Sequence, residues 1–589
     1  MHTVYIDTET TGLSVWHGDR PFSVQFCWDN GSKELLRFKV HPFTRAVEIN
    51  TTQLDRLRAV LEDPTTNKVF HNSKFDVRML EVIGVKVAGR VDDTMVAMHC
   101  LRSHERLGLK AVCKKYLSIE DADEKELQKA TVTARRLAKK RGWLVAEGPR
   151  WGKSPVNADY WLAPAKVLER YALMDVERTK QLWESISPLL DEEQVRAIYE
   201  LEMQLLPVTA ALETRGMHID LAVVDAEVKR YAVLRRDSLA TLQQSTGPGF
   251  NPNAYRDVAT LLFQQLKLEP INFTKTGAPQ VDKDTLREYE HPLVLALRNY
   301  KAADSAINKF LLSYKRLAVD GILHPDFQQL GPRTGRFSCK MPNLQNVSRG
   351  DQEDDRVEPI AARRPFGPRP GHVWYAFDMD QVEARLVTCF SGDETLLNAF
   401  RTGQDVHTAM AMKIWGDPSR RKMAKQVVYA TLYGGGRKVI AKRFGISLTS
   451  AGRVIRDFHS AAPALQIYSD KLKAEAAEHG FIRTIGGRKV YPDGGRDYAL
   501  LNYRVQGSAA DLMKQAMLRV SALLPGLSRP AWLVSTVHDE LIIETQGELN
   551  KGDHAAIGHA MSNHGYELPI PLSAQGSIIR KSWSEKEKL

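Results

Sequence analysis

The chain predicts a multidomain protein that combines α/β and α+β architecture, and three observations lead there. Its 589 residues suffice for about four domains or subdomains at roughly 150 residues each. Over the first third, short apolar strands alternate with amphipathic helices. Towards the C-terminus, strands return after a long helical stretch, so a second sheet is assembled from two separated segments with a helical insertion between them.

Residues 1 to about 185 read as mixed α/β. "HTVYID" is an apolar strand ending in a carboxylate, and "KVFHN" is another short strand. A charged helical stretch follows at about 121–141. "PAKVLERYALMDVERTKQLWESI" is an amphipathic helix with proline near its start, where the missing N–H has no helical partner to lose. Residues from about 186 to 325 are helix-rich and charged, with an Asn-Pro entry at "FNPNAYRDVATLLFQQL" and a long helical segment over 292–319. "GPRTGRFSCKMPNLQN" is loop-like, and "GDQEDDRVEPIAARRPFGPRPG" is polar and broken by prolines. "HVWYAF" is then a strand, residues 394 to about 495 are mostly helical, and "AWLVSTV" and "LIIE" are the returning strands.

Composition narrows the classes. Hydrophobic residues make up 43%, ordinary for a globular chain. Lys plus Arg is 82 against 71 Asp plus Glu, a net charge of +11 that favours a polyanionic partner. The five cysteines are odd in number, scattered, and form no Cys-x-x-Cys pair, which argues against a disulfide framework and a zinc ribbon. The N-terminus lacks a basic and then apolar leader, and no apolar run approaches the ~20 residues that span a bilayer. The expectation is a cytoplasmic protein without a membrane partner. The basic run "RRLAKKR" at 135–141 reads as a solvated helix face.

Two sets of residues carry chemistry. In "YIDTETTGL", Asp7 and Glu9 sit two apart at a strand end, and period-two alternation puts both on one face. "HNSKFD" supplies Asp76 just after a strand, and "YALMD" places Tyr171 and Asp175 at i and i+4 on one helix face. Four converging carboxylates repel one another unless cations sit among them. Two Mg²⁺ ions about 4 Å apart would neutralise them and clamp the attacking and leaving oxygens of a phosphodiester hydrolysis. Any one of these residues taken alone reads as a surface acid. The ordered set Asp-x-Glu, Asn-x-x-x-Asp, Tyr-x-x-x-Asp resembles the three motifs of the DEDD 3′–5′ exonucleases in their tyrosine-bearing form. That resemblance implies an RNase H-like fold, with Asp7, Glu9, Asp76 and Asp175 holding metals and Tyr171 orienting the attacking water.

The second set comprises "FDMDQVEAR" at a strand end, "DPSRRKMAKQVVYATLYGGG", and "VHDE" between two apolar strands. In the middle stretch Asp417 can cap a helix that Pro418 begins and the glycines end. Arg421, Lys425, Tyr429 and Tyr433 recur every four residues and form one gently drifting stripe, suited to a triphosphate and a stacked base. A solvated helix with amphipathic tyrosines would read the same. Together the three stretches resemble motifs A, B and C of family A DNA polymerases, the bacterial DNA polymerase I family. "TGRFS…PNLQN" resembles the family's primer-template-binding stretch, "VQGSAADLMKQAM" precedes motif C, and "TIGGRKVYPD" resembles a fingers segment.

The family resemblance implies a right-hand polymerase after the exonuclease: exonuclease at 1–185, thumb at 186–325, palm at 326–393 and 496–589, and fingers at 394–495. It implies that Asp378 and Asp539 share two Mg²⁺ ions, for which Mn²⁺ can substitute, with Glu540 in support. Arg421, Lys425 and His407 would grip the incoming deoxynucleoside triphosphate, with Gln381 and Tyr429 lining its site. Tyr433 would stack near the templating base, and Glu383 would crowd the sugar 2′ position. Arg336, Asn343, Gln345, Asn346, Arg385, Gln506 and His538 would contact primer-template DNA. Tyr429, where many bacterial members carry Phe, implies ready termination by dideoxynucleotides. Asp380 departs from the family's Ser. If the strand continued it would face the metals with Asp378; otherwise it bonds locally. The layout implies a monomeric bacteriophage replicative enzyme in the host cytoplasm, without a preceding 5′-nuclease domain or a large processivity insertion. Helicase, primase or other replisome proteins would be its partners.

Two other readings stand beside this one. A single-subunit RNA polymerase shares the palm logic, although Glu383 and the exonuclease motifs oppose it. A non-catalytic DNA-binding scaffold shares the basic charge, although every expected metal-binding acid is present.

Overall fold

The structure, a computed structural model, describes residues 2–146, 156–274, 276–348, 350, 356–432, 436–444 and 446–589. Strands β1 (Thr3–Thr10), β2 (Pro21–Trp28), β3 (Lys33–Arg37), β4 (Asn67–Phe70) and β5 (Val91–Asp93) form an N-terminal sheet ordered β3-β2-β1-β4-β5. β1 is antiparallel to β2 and parallel to β4. Helices α1 (Thr51–Leu61) and α2 (Ser73–Glu81) cover one face. There Val4 and Ile6 of β1 pack with Leu57, Leu61, Phe70 and Leu80. Tyr5, one residue out of phase, points to the other face and packs with Cys27, Val69 and Val176. Val176 belongs to a later helix of the same region, α5. Before it come α3 (Leu109–Leu117) and α4 (Ala122–Lys140); α5 itself spans Ala165–Ile186. The period of two in β1 therefore sends its odd-numbered side chains to the α5 layer and its even-numbered ones to α2.

The basic run on α4 is only partly a solvated face. Arg136, Lys139, Lys140 and Arg141 are exposed. Arg135 turns inward and, with Arg45, pairs with the fully buried Asp159. A buried carboxylate without such partners would be costly, which is why one residue of the run leaves the solvent.

Helix α6 (Arg196–Arg215) leads into the helix-rich middle region. The segment expected as one long helix over 292–319 is a helix at Pro292–Ser305, a π-helical turn at Ala306–Leu311 and a last helix at Leu312–Leu317.

The second sheet begins with β6 (Val373–Met379), which runs into α7 (Val382–Ser391). The insertion follows and includes α8 (Val406–Trp415) and α9 (Arg421–Leu432). The chain returns through α10 (Leu500–Leu523), β7 (Ala531–Val537), β8 (Glu540–Thr545), α11 (Lys551–Ser562), β9 (Ala574–Ile579) and β10 (Glu587–Lys588). The sheet order is β7-β8-β6-β9-β10, antiparallel throughout. The strand from before the insertion thus lies at the centre of the strands that follow it.

A buried charge network ties the two halves together. Arg488 bonds Asp511 (2.9 Å) on α10 and Glu202 (2.5 Å) on α6, and Lys514 of α10 bonds Glu202 at 2.6 Å. Two cations balance two acids, which is what permits all four to be buried. Gly335 abuts this network with φ +79°, and a Cβ there would come within 2.4 Å of Arg488 Nε.

Candidate functional site

The first candidate site grows out of β1. Asp7 and Glu9 continue the odd-numbered face that Tyr5 begins, and so meet Asp175 on α5. Carboxylate oxygens of Asp7, Glu9 and Asp175 lie within 4.8 Å of one another. Gln25, opposite Asp7 in the β1–β2 register, donates to Asp7 at 2.6 Å. Asp76, in the first turn of α2, approaches from the other side of the strand, where Thr8 donates to it at 2.6 Å. It lines the same cavity of about 260 Å³, but its carboxylate is not part of the 4.8 Å group. The expected convergence of four acids is therefore three gathered and one held back by a threonine hydroxyl.

Repulsion is evident in the titration of these groups. Burial, and then the Asp175 charge, push Asp7 up to about 7. Burial and Asp7 also hold Glu9 and Asp76 well above the usual carboxylate range. Tyr171 lies one turn before Asp175 on α5, and both are buried. Lys110 of α3 pairs with Asp175 and donates to the Tyr171 hydroxyl at 3.0 Å.

The second site is built on the β7–β8 hairpin. Val537 and Glu540 are paired, so His538 and Asp539 make a two-residue turn. His538 has φ +58° and Asp539 is not in the left-handed region, the pattern of a type II′ turn that suits strand twist. In the neighbouring ladder Asp378 is opposite Glu540, and the Met379 N–H donates to the Asp539 carbonyl at 3.0 Å. The turn is thereby fastened to the end of β6, and Asp539 comes beside Asp378. Burial pushes the Asp378 carboxyl up to about 7, assisted by the charge of Asp539, a hydrogen bond to it, and Glu540. Glu540 is buried and pairs with Lys586, and one of its carboxylate oxygens has no hydrogen-bond partner. Both sites offer only carboxylate oxygens in mutual repulsion, a donor set that suits a hard divalent cation such as Mg²⁺.

A cavity of about 420 Å³ adjoins Asp539 and brings together Arg336, Gln345, Gln381, Glu383 and His538. Lys514 and Phe337 also line it, with the Lys514 ammonium 5.2 Å from the Phe337 ring. Arg336 and Glu383 form an ion pair. Asn343 and Asn346 are exposed on the turn beside Gln345, where the Asn343 side chain accepts from the Gln345 N–H at 3.1 Å. Gln506 is half-buried on α10 and is not among the cavity's lining residues.

The strand does not continue to Asp380. β6 ends at Met379, and Gln381 takes a left-handed conformation (φ +50°) to start α7. Asp380 therefore swings away and is bonded by Arg385 at 2.7 Å. Arg385 also donates to the Asp380 and Pro571 carbonyls, both at 2.9 Å, and stacks on Phe400. In the insertion, Arg421 at the start of α9 makes a bidentate pair with Asp405 at 2.9 and 2.8 Å. His407 is buried on α8, and burial lowers its pKa. Lys425 is exposed one turn after Arg421. Tyr429 lies on α9 with its side chain outside the described ones, and Tyr433 lies outside the described residues.

The model of a family described as "DNA polymerase family A" matches residues 229–585, more than half of the chain. The chain belongs to DNA polymerase family A. A second model, "3'-5' exonuclease", matches residues 1–191 and so covers the N-terminal sheet. Relatives include a DNA polymerase I of Chloroflexus aurantiacus, 28% identical over 90% of this chain and 56% of that protein. Another is the DNA polymerase DpoZ of Salmonella phage PMBT28, 26% identical over 100% of this chain and 97% of that protein. The chain spans roughly half to two thirds of the length of the bacterial relatives it matches. A solved structure, the POL domain of Pol1 from M. smegmatis in complex with DNA primer-template and dNTP, superposes with a TM-score of 0.79. It covers 99% of this chain and 95% of that one, at 21% identity. The fold is accordingly that of an exonuclease domain followed by a family A polymerase domain.

In this family A chain, sequence reasoning did not identify Gln25, Lys110, Asp405 or Lys586, each of which bonds a candidate residue. Lys110 sits in "LKAVCKKYL" with Lys114 and Lys115, which pair with acids at the surface. Nothing in that spacing marks Lys110 as the lysine that faces inward.

Proposed function

We propose that this chain is a template-directed DNA polymerase that adds deoxynucleotides to a primer 3′ end and proofreads with a 3′–5′ exonuclease. The observation that carries the reading is that two carboxylate sets gather at the ends of two separate sheets, Asp378 with Asp539 at one and Asp7 and Glu9 with Asp175 of α5 at the other. Each would hold two Mg²⁺ ions, with Mn²⁺ as a substitute. Bound there, the cations would activate the attacking oxygen and take up charge on the leaving group.

The chain's own residues would do the rest. Asp378 and Asp539 would hold the cations between the primer 3′ end and the incoming triphosphate, with Glu540 in support. Arg421, Lys425 and His407 bind the phosphates, which requires Arg421 to release Asp405. Gln381, Tyr429 and Tyr433 complete the nucleotide pocket, and Glu383 excludes a 2′-hydroxyl. Arg336, Asn343, Gln345, Asn346, Arg385, Gln506 and His538 contact DNA. In the exonuclease, Asp76 joins the three gathered acids and Tyr171 orients water. The proposed units are exonuclease 1–185, thumb 186–325, palm 326–393 with 496–589, and fingers 394–495. Similarity to a phage polymerase over nearly its whole length supports a bacteriophage replicative role. In that role the chain would work as a monomer with helicase or primase partners.

One gel tests this reading. A 5′-labelled primer-template is incubated with Mg²⁺, with and without the four deoxynucleotides. The parent should extend with nucleotides and degrade without them, Asp539→Ala should only degrade, and Asp7→Ala should only extend. A parent that degrades but never extends would overturn the polymerase assignment.

A further inference from the structure

The exonuclease-type site contains a cation that none of its three motifs includes. Lys110 Nζ pairs with one carboxylate oxygen of Asp175, donates to the Tyr171 hydroxyl at 3.0 Å, and stands 4.5 Å from the centre of the Tyr171 ring. The other Asp175 oxygen accepts from Arg178 at 2.9 Å. One ammonium thus joins the tyrosine and the aspartate that lie one turn apart on α5. Its side chain is 20% exposed, whereas Lys114 and Lys115 of the same helix are 57% and 59% exposed.

We propose that Lys110 is a positioning residue of the exonuclease reaction. It anchors the Tyr171 hydroxyl towards the attacked phosphodiester, and it occupies Asp175 in place of a divalent cation until one binds. The proposal rests on the exonuclease reading above.

The physical consequences have opposite signs. Removing one positive charge from beside Asp175, Asp7 and Glu9 deepens the negative potential, so a divalent cation binds more tightly. Removing the anchor frees the Tyr171 hydroxyl, so turnover falls. A site that was merely damaged would lose both.

The test compares Lys110→Met and Lys110→Arg with the parent. Degradation of a 5′-labelled single-stranded oligonucleotide is followed under single-turnover conditions at saturating Mg²⁺. Mn²⁺ binding is titrated by electron paramagnetic resonance in an Asp378→Ala, Asp539→Ala background, so that the exonuclease site is read alone. In Lys110→Met the rate should fall about 10- to 100-fold, the usual effect of removing a group that orients a metal-site residue. Its Mn²⁺ Kd should fall at least threefold. Lys110→Arg keeps the charge and should return the Kd to the parent value and recover part of the rate. Primer extension by Lys110→Met should match the parent, which shows that the chain folds. A rate within twofold of the parent, or Mn²⁺ binding that weakens together with the rate, would overturn the proposal. If the parent degrades nothing, the exonuclease reading falls and takes this proposal with it. If the parent degrades and Lys110→Met equals it, only the proposal falls.

Discussion

Arg336 and Glu383 hold each other in an ion pair inside the cavity that adjoins Asp539. Each is proposed to face a different substrate, Arg336 the primer-template DNA and Glu383 the nucleotide sugar. DNA binding must therefore take Arg336 away from Glu383. The side chains are 36% and 18% exposed, so solvent screens the pair and about 0.2–1 kcal/mol opposes release. Glu383→Gln keeps the bulk and removes the charge. It should tighten primer-template binding by about 1.5- to 5-fold, measured by fluorescence anisotropy, and still exclude ribonucleotides. Glu383→Ala removes the bulk and should raise ribonucleotide incorporation about 10- to 200-fold relative to deoxynucleotides. Equal ribonucleotide exclusion by both variants would rule out a steric role.

Asp405 does two things at once. It caps α8 by accepting from the Thr408 N–H at 2.8 Å, and it holds Arg421 in a bidentate pair. Hydrogen bonding to Arg421 is the leading reason its carboxyl lies well below the usual range. Asp405→Ala should cost about 1 kcal/mol through the lost cap, read as earlier unfolding in urea. Asp405→Asn preserves a good capping oxygen and should unfold near the parent midpoint. If Asn destabilises as much as Ala, the ion pair rather than the cap is what stabilises this helix.

Much of this arrangement was legible in the sequence, for identifiable reasons. Period two in "YIDTE" determines which face Asp7 and Glu9 occupy, and spacing by four puts Tyr171 and Asp175 on one side of α5. The turn at "VHDE" follows from two apolar runs separated by the polar triplet His538-Asp539-Glu540. The long-range partners were not legible. Lys110, Asp405 and Lys586 meet their charged partners across 65, 16 and 46 positions of sequence, and no local period encodes such a meeting. Arg135 was misjudged for the same reason: the acid that draws it inward, Asp159, lies beyond the helix that carries it. Tyr429 remains a sequence-based expectation, since its side chain is not among the described ones.

Asp380 illustrates how one residue's backbone changes its chemistry. An extended strand would have aimed it beside Asp378, but the left-handed Gln381 ends the strand first and Arg385 takes the carboxylate. Asp380→Ser should therefore leave the Mg²⁺ concentration dependence of primer extension unchanged. The pair is mostly buried, at 12% and 22% side-chain exposure, so the same variant should lose about 1–2 kcal/mol of stability because Arg385 loses its carboxylate and keeps only its two carbonyl acceptors. A shifted Mg²⁺ dependence with unchanged stability would instead place Asp380 at the metals.

Both sites should couple stability to pH through their raised carboxyls. Asp7 and Asp378 titrate at about 7 in the folded chain, against about 4 for an ordinary aspartate. Between those values the folded chain holds protons that the unfolded chain has released. The stability these groups contribute is thus complete below about pH 4 and is lost as pH rises through about 7. A divalent cation needs the carboxylates deprotonated and repays their repulsion, so its effect has the opposite pH dependence. In EDTA, these groups should lower the melting temperature between pH about 5.5 and pH about 8. The increase caused by millimolar Mg²⁺ should grow over the same interval. Taking the difference with and without Mg²⁺ at each pH cancels groups remote from the metals. Asp7→Ala combined with Asp378→Ala should remove most of that growth. A Mg²⁺ increment that stays flat with pH in the parent would mean that these two carboxyls are not what the cation meets.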